Sequence, residues 1–230
     1  MEYKCDIKFM GVPSRMSNIA WNVSKLGLSM EDVFLDREYR RCPILSSFDA
    51  FNLPFKDDSI THRLVLQDDV EIADGLKDFV NYLVNLHPNA IWSLMIFTKK
   101  KFDIPKGSIV KVGERIYGLA VIIPKRYIKM IQSSYYETTN SYKHDDAFYA
   151  TFAKYNKIDI YTTYPNVVEH LGVGSINSEL SHAFKWRSMC YINHPIYDLE
   201  WHDRPWISLG LSVNDIHHYK EFKKLMEEEQ

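Results

Sequence analysis

Apolar residues fall along the chain in two alternating patterns: short continuous runs, and positions spaced every three or four residues. Cys5–Met10 is the first short run, and Gly11-Val12-Pro13 closes it with residues that break a strand. Ile19, Ala20, Val23 and Leu26 then follow helical spacing. They predict a helix over Met16–Leu26, capped by Ser14 or Ser17 and stopped by Gly27. Val33-Phe34-Leu35 reads as a second strand, ending at Asp36. Strand, helix and strand make a βαβ unit, the beginning of a nucleotide-binding type of half-domain.

Residues 37–62 interrupt the pattern with Pro43 and Pro54, around a short helix predicted near Ser47–Phe51. Arg63-Leu64-Val65-Leu66-Gln67 has an apolar centre without polar alternation, as expected of a strand buried in a parallel sheet. Leu76, Phe79, Val80, Leu83 and Leu86 predict an amphipathic helix capped by Asp74 and ended by His87-Pro88. Ile91–Phe97 is another buried strand. The segment punctuated by Gly107, Gly113 and Gly118 predicts a strand pair or hairpin leading to Leu119–Ile123. Pro124 would be the first residue of a helix running to about Ser133. A further helix opens at His144-Asp145-Asp146, Ile158–Thr163 is a strand, and Tyr164–Ser175 is a glycine-containing loop. The last fifty residues or so read as irregular and aromatic, with Trp186, Trp201 and Trp206 packing a segment that wraps the domain. A charged helix is predicted over Asn214–Glu228.

Composition adds bounds. The 230 residues are 46% hydrophobic and 25% charged, which suits a globular protein with a sizeable core. No apolar run reaches membrane-spanning length, and no basic-then-apolar leader pattern opens the chain. Cys5, Cys42 and Cys190 are few, odd in number and widely spaced, the pattern of free thiols in a reducing compartment. A cytoplasmic location is expected. The net charge of −2 hides a block over residues 99–129 in which Lys99, Lys100, Lys101, Lys106, Lys111, Arg115, Lys125, Arg126 and Lys129 face only Asp103 and Glu114. Such a block suits a phosphate or a polyanionic partner. A sheet edge protected by lysines is the plainer reading.

The candidate chemistry begins at Asp68-Asp69, directly after the central strand. Open α/β sheets place ligands at the carboxyl ends of their strands, and paired hard carboxylates there suit Mg2+ or Mn2+, which in turn hold diphosphates. A solvated acidic turn before a helix has the same composition. Asp145-Asp146 form a second acidic pair, and either acid can serve as a helix cap. His170 lies in the loop that follows, where a histidine taken alone is more often a satisfied loop or core residue than a ligand. His182, His194, His202, His217 and His218 have no metal-ligand spacing with the cysteines. The P-loop, G-x-G-x-x-G and G-x-S-x-G patterns are absent from the sequence.

Taken in order, LVLQDDVEI, HDDAFYATFAK and YTTYPNVVEHLGVGS resemble the GT-A class of nucleotide-sugar glycosyltransferases over about residues 5–175. The first looks like a variant of that class's D-x-D motif, and the second like its acidic motif at a helix start. The third, as P-x-V-x-x-H-x-G-x-x-S, looks like the segment supplying a C-terminal metal-binding histidine. The resemblance implies a single α/β domain with a Rossmann-like, mostly parallel central sheet flanked by helices. That domain would span residues 1–180, with a nucleotide-binding half over about 1–70 and an acceptor half over about 71–180. Residues 181–230 would be an irregular aromatic C-terminal extension packed on it.

The resemblance further implies transfer of a sugar from a nucleoside-diphosphate sugar, a UDP-sugar foremost, to an acceptor hydroxyl with Mn2+ or Mg2+ bound. Asp69 and His170 would ligate the ion, and Asp68 would contact the ribose or sugar. Asp146, or failing that Asp145, would be the general base. Arg15 and Asp36 would lie near the nucleotide base or diphosphate, with Gly172 and Ser175 beside the latter. Gln67 departs from the acidic residue usual at the first position of the triplet, so its expected contact is a ribose or sugar hydroxyl, not the ion.

The chemistry is coherent. Cleaving a glycosyl–phosphate bond needs charge stabilisation on the departing diphosphate, which a metal supplies as a Lewis acid. A positioned carboxylate base contributes roughly 10²–10⁴-fold and, opposite the leaving group, implies inversion. Asp145 and Asp146 are close enough to raise one another's pKa. Two other classes use the same residues. A metal-dependent nuclease or phosphohydrolase would employ Asp68, Asp69, Asp145, Asp146 and His170 with water, and a non-catalytic binding module would only hold a nucleotide or carbohydrate. Acceptors compatible with the sequence are a glycan, a protein, or hydroxymethylated pyrimidines in DNA. DNA would engage the basic block through phosphate contacts, although the overall acidic balance argues against strong nonspecific binding.

Overall fold

The run of apolar residues after Lys4 forms β1 (Cys5–Gly11), and the expected βαβ unit is completed by α1 (Met16–Lys25) and β2 (Val33–Leu35), parallel to β1. The computed structural model describes residues 2–38, 43–97, 102–137, 145–171, 190–192 and 194–212. The chain continues through α2 (Pro43–Asn52), β3 (His62–Gln67), β4 (Val70–Ile72), α3 (Leu76–Leu86), β5 (Ile91–Ser93), β6 (Ser108–Gly113) and β7 (Ala120–Pro124). The last described elements are α4 (Lys125–Glu137), α5 (Asp145–Tyr155), β8 (Ile160–Tyr164), β9 (Val168–His170) and β10 (His202–Leu211).

Among the described residues, eight strands form one sheet in the order β10-β6-β8-β5-β7-β3-β1-β2, and β4 and β9 form a separate antiparallel ribbon. The β1–β2, β1–β3, β5–β8 and β6–β10 pairings are parallel, while β3–β7, β5–β7 and β6–β8 are antiparallel. The result is a mixed but mostly parallel sheet flanked by helices, in agreement with the expected α/β class. β1, β2, β3, β5 and β8 therefore point the same way, so their carboxyl ends share an edge with the start of β7. α1 and α3 lie against β1, α2 against β1, β2 and β3, and α4 against β7 and α5. Leu64, Val65 and Leu66 are buried as the unbroken apolar run requires. Each such side chain removed from water is worth about 1.5–3 kcal/mol.

Charged residues also lie inside this sheet. Asp6 and Arg63 are cross-strand partners, with Arg63 Nη2 2.8 Å from Asp6 Oδ2. Lys8 Nζ lies 2.7 Å from Asp32 Oδ1 and 3.4 Å from Asp6 Oδ2, and Lys56 Nζ lies 3.1 Å from Asp32 Oδ2. Arg63 also donates to the carbonyls of Phe51, Leu53 and Pro54 and lies over the Phe55 ring, tying the exit of α2 to the sheet.

Several expected details differ. α1 is entered through a 3-10 turn at Pro13–Arg15, so neither Ser14 nor Ser17 caps it with its side chain. Gly27 does stop it: the Gly27 N–H donates to Ser24 O and the Leu28 N–H to Val23 O, a Schellman closure. Gly75, not Asp74, is the N-cap of α3, because the Asp74 carboxylate is taken by Lys25 Nζ at 2.7 Å. The strand expected over Ile91–Phe97 ends at Ser93. Beyond it the Ser93 hydroxyl binds Met95 O, and the Asn166 side-chain oxygen takes the Ile96 N–H, in place of a neighbouring strand.

The basic segment is no hairpin, since β6 pairs with β8 and β10 while β7 pairs with β3 and β5. Pro124 is the last residue of β7, and α4 starts one residue later and runs on to Glu137. α2 is also longer than expected. The C-terminal extension is less irregular than expected, because β10 adds a ten-residue edge strand. Trp201 packs on Phe79, with ring centroids 4.7 Å apart, but Trp206 is 74% exposed and packs nothing inward. Trp186 and the helix expected over 214–228 lie outside the described residues. Among the described residues, no helix is long and apolar enough to cross a membrane.

Candidate active site

The shared carboxyl edge gathers Gly11–Arg15 after β1, Asp36 after β2 and Asp68-Asp69 after β3. Gly11 is what lets Asp68 lie against β1: a Cβ there would stand 2.5 Å from Asp68 Cβ and 2.7 Å from Ile19 Cδ1. Asp68 accepts the Val12 N–H at 2.8 Å on Oδ2 and Arg15 Nη1 at 2.7 Å on Oδ1. The same Arg15 nitrogen donates to Asp69 Oδ2 at 3.0 Å, so one guanidinium edge bridges both acids.

His170 enters from far along the chain. The expected loop around it contains β9, whose antiparallel pairing with β4 sets Val70 opposite His170. The Leu171 N–H donates to Asp69 O, and His170 Nε2 comes to 3.3 Å from Asp69 Oδ2. Asp69 Oδ1 is buried and has no hydrogen-bond partner among the described residues. Burial would push the Asp69 carboxyl up, but His170 and then Arg15 outweigh it and hold the group below the usual carboxylate range. For Asp68 burial prevails, reinforced by the Asp69 charge, and its carboxyl is pushed up despite Arg15 and the Val12 N–H.

The polar face of α1 positions this ribbon. In the β4–β9 pair, the Asp69 and Val167 carbonyls bond across the ribbon, to Leu171 and Ala73, and the Asp68, Val70 and Ile72 carbonyls are turned to the other side. There Asn18 Nδ2 donates to Asp68 O and Val70 O, Asn22 Nδ2 to Val70 O at 3.0 Å, and Lys25 Nζ to Ile72 O at 2.6 Å. Three side chains on successive helical turns thus replace a third strand. Sequence reasoning missed them. Their spacing of four and three was visible, but it is also what a solvated helix face shows.

The second acidic pair reaches the same edge through Gly118, just before β7. Gln67 Nε2 donates to Gly118 O at 3.2 Å, and a Cβ on Gly118 would stand 2.6 Å from Asp145 Oδ1. Only a glycine lets the Asp145 carboxylate approach β7 so closely. Asp145 opens α5 as expected, is buried, and accepts the Asp146 N–H at 2.9 Å on Oδ1. Its Oδ2 has no hydrogen-bond partner among the described residues. Burial, reinforced by the Asp146 charge, raises Asp145 to about 7. Asp146 is only half-buried. Ser47 of α2 and Tyr149 of α5, hydrogen-bonded to one another at 2.6 Å, are further buried polar residues to which the sequence assigned no role.

Of the expected site residues, the structure brings Arg15, Asp68, Asp69 and His170 into direct contact and sets Gln67 beside Gly118 and Asp145. Asp36 is at the same edge and tied to Gly11 O through its N–H. Its carboxylate is engaged by the Ser46 hydroxyl and the Glu38 N–H. Gly172 and Ser175 lie outside the described residues, as do Lys99, Lys100, Lys101, His144, His182, His217 and His218. The described part of the basic block is dispersed. Lys111 pairs with Asp159, whereas Lys125 and Arg126 follow Pro124 at the edge opposite the acids.

Among the described residues, no three His, Cys, Asp or Glu side chains converge as a ready-made metal cage. The donor set that does exist is a carboxylate with one unpartnered buried oxygen beside an imidazole nitrogen. That set fits Mn2+ or Mg2+ only as a partial ligand set, one that diphosphate oxygens and water would have to complete.

No protein-family model and no curated protein sequence matches the chain. Among solved structures, a glycosyltransferase involved in the glycosylation of the major capsid of PBCV-1 aligns over 77% of this chain and 98% of its own. The TM-score is 0.33 and the identity 13%.

Proposed function

We propose that the chain is a glycosyltransferase that moves a sugar from a nucleoside-diphosphate sugar, a UDP-sugar foremost, to an acceptor hydroxyl by inverting displacement. The observation that carries this reading is the approach of His170 to Asp69 beside a buried carboxylate oxygen without a partner. An acidic turn that served only to start a helix would sit in solvent and would not draw a histidine from another strand. Asp69 and His170 would hold Mn2+ or Mg2+, which supplies Lewis-acid stabilisation of the departing diphosphate.

The chain's own residues do the rest. Asp68, oriented by the Val12 N–H, would accept a hydrogen bond from a ribose or sugar hydroxyl. Gln67 offers its amide nearby, and Arg15 brings a fixed positive charge for phosphate oxygens. Asp146, more exposed than its neighbour, is the carboxylate an acceptor hydroxyl can reach, and its proton would pass to Asp146 as the acceptor oxygen attacks. Asp145 anchors the first turn of α5 beneath it through the Asp146 N–H.

The test is calorimetric titration of UDP, GDP and their common sugar conjugates, with Mn2+ and with EDTA. Metal-dependent binding of one nucleotide sugar, lost in Asp69→Ala, is expected. Failure to bind any of them, with DNA cleavage or phosphate release in the absence of a sugar donor, would replace this reading with a hydrolase.

A further inference from the structure

We infer that Arg15 is the resting counter-cation of the candidate metal site, so that metal and diphosphate bind to it as a coupled pair. This rests on the glycosyltransferase reading and adds to it an order of events. Arg15 stands at the junction between the 3-10 turn and α1, in a backbone conformation (φ −112°, ψ 18°) belonging to neither. From there a single nitrogen, Nη1, touches Asp68 Oδ1 at 2.7 Å and Asp69 Oδ2 at 3.0 Å. The Arg15 side chain is only 14% exposed, so water screens these contacts little.

A divalent ion on Asp69 would add two positive charges beside a guanidinium bound to the same carboxylate. At a few ångströms and with little solvent between them, that repulsion opposes binding of the ion alone. A diphosphate changes the balance, because its oxygens are strong acceptors for a guanidinium and carry the charge needed to offset both cations. As Arg15 turns to the diphosphate, Asp69 becomes available to the ion. Each ligand then raises the affinity for the other by the same factor. Asp69 Oδ1, buried and unpartnered while Oδ2 is shared by Arg15 and His170, is the oxygen that stays open during the exchange.

The test measures Mn2+ binding by water-proton relaxation or by the paramagnetic resonance of free Mn2+, with and without UDP, in the full chain. Arg15→Gln is expected to bind Mn2+ at least tenfold more tightly than wild type when UDP is absent, and UDP should enhance its Mn2+ affinity less. Arg15→Lys, which keeps a positive charge but not the planar guanidinium whose Nη1 reaches both acids, is expected to be intermediate and covers the case in which Arg15→Gln does not fold. Asp69→Asn serves as the control that loses Mn2+ in every condition. Equal Mn2+ affinity of wild type and both Arg15 variants without UDP, with Asp69→Asn inactive in binding, would overturn the counter-cation inference and leave the metal reading intact. No Mn2+ binding by wild type or variants, even with UDP, would overturn both.

Discussion

Two groups of buried charges share the β1–β3 half of the sheet, and they are finished to different degrees. In the body of the sheet, Asp6 and Asp32 are surrounded by Lys8, Lys56 and Arg63, and all four of their named contacts fall between 2.7 and 3.4 Å. At the carboxyl edge, Asp68 and Asp69 have one arginine between them and a histidine at 3.3 Å, and one carboxylate oxygen is left without a partner. The first group carries more cations than anions and closes three backbone carbonyls as well, and its own unpartnered buried atom, Arg63 Nε, belongs to a cation and leaves no carboxylate oxygen open. The second sets two acids against one arginine and one histidine and leaves Asp69 Oδ1 open. A folded chain tolerates an unfinished charge cluster at a cost in desolvation, and such a cost is retained where a ligand completes the cluster.

Removing the central cation of the finished group gives the largest expected effect. Arg63→Met leaves Asp6 without its closest partner and the Phe51 and Pro54 carbonyls without their donor. Breaking a buried pair from one side costs about 3–5 kcal/mol. Urea unfolding should report a loss of that order, with metal and nucleotide affinity unchanged in the fraction that remains folded. A loss under about 1 kcal/mol would mean that the two groups do not differ in kind.

The next effect separates the acids by pH. The buried Asp145 carboxyl, raised to about 7, holds its proton better in the folded chain than in the unfolded one, where it titrates near 3.8. Its contribution to stability is therefore complete below about pH 4 and lost as the pH rises through 7, at up to about 1.4 kcal/mol per pH unit in between. Asp32 works in the opposite direction. Burial opposes its charge, but Lys8, the Ser29 N–H and Lys56 hold its carboxyl low, so its contribution exists at neutral pH and is lost as the pH falls below the ordinary carboxylate range. Urea unfolding of Asp145→Asn across pH 4–8 should lack the wild-type decline. An unchanged slope would remove Asp145 as its source.

Much of this architecture was legible in the sequence. β1, α1, β2, β3 and α3 follow from apolar spacing that nothing else explains, and both acidic pairs fall at element ends where ligands collect. What was not legible depends on contacts between distant segments. Arg63 read as the polar start of a strand, yet register with Asp6 buries it completely. Gly11 and Gly118 read as punctuation, whereas their real requirement is the carboxylate packed on each. The β6–β10 pairing, which gives order to the C-terminal segment, joins stretches with no local signal for one another.

The α1 ladder gives the smallest expected effect on stability and the finest probe of the contrast. Asn18 spends both of its amide contacts on the backbone of the acidic turn, at Asp68 O and Val70 O, and touches neither carboxylate. Asn18→Ala therefore removes hydrogen bonds worth about 1 kcal/mol in total stability, a fraction of the Arg63→Met loss. Its effect on binding should be disproportionate, because the same turn carries Asp69 and, through β4 and β9, sets the register of His170. Mn2+-dependent UDP affinity should fall about tenfold, as expected when an outer partner of a ligand is lost, with the unfolding midpoint only slightly lowered. Ser24→Ala, on the exposed side of the same helix, should change neither. If Asn18→Ala lowered stability and left affinity untouched, the ladder would belong with the finished group: part of what holds the fold together, and no part of what holds the site in place.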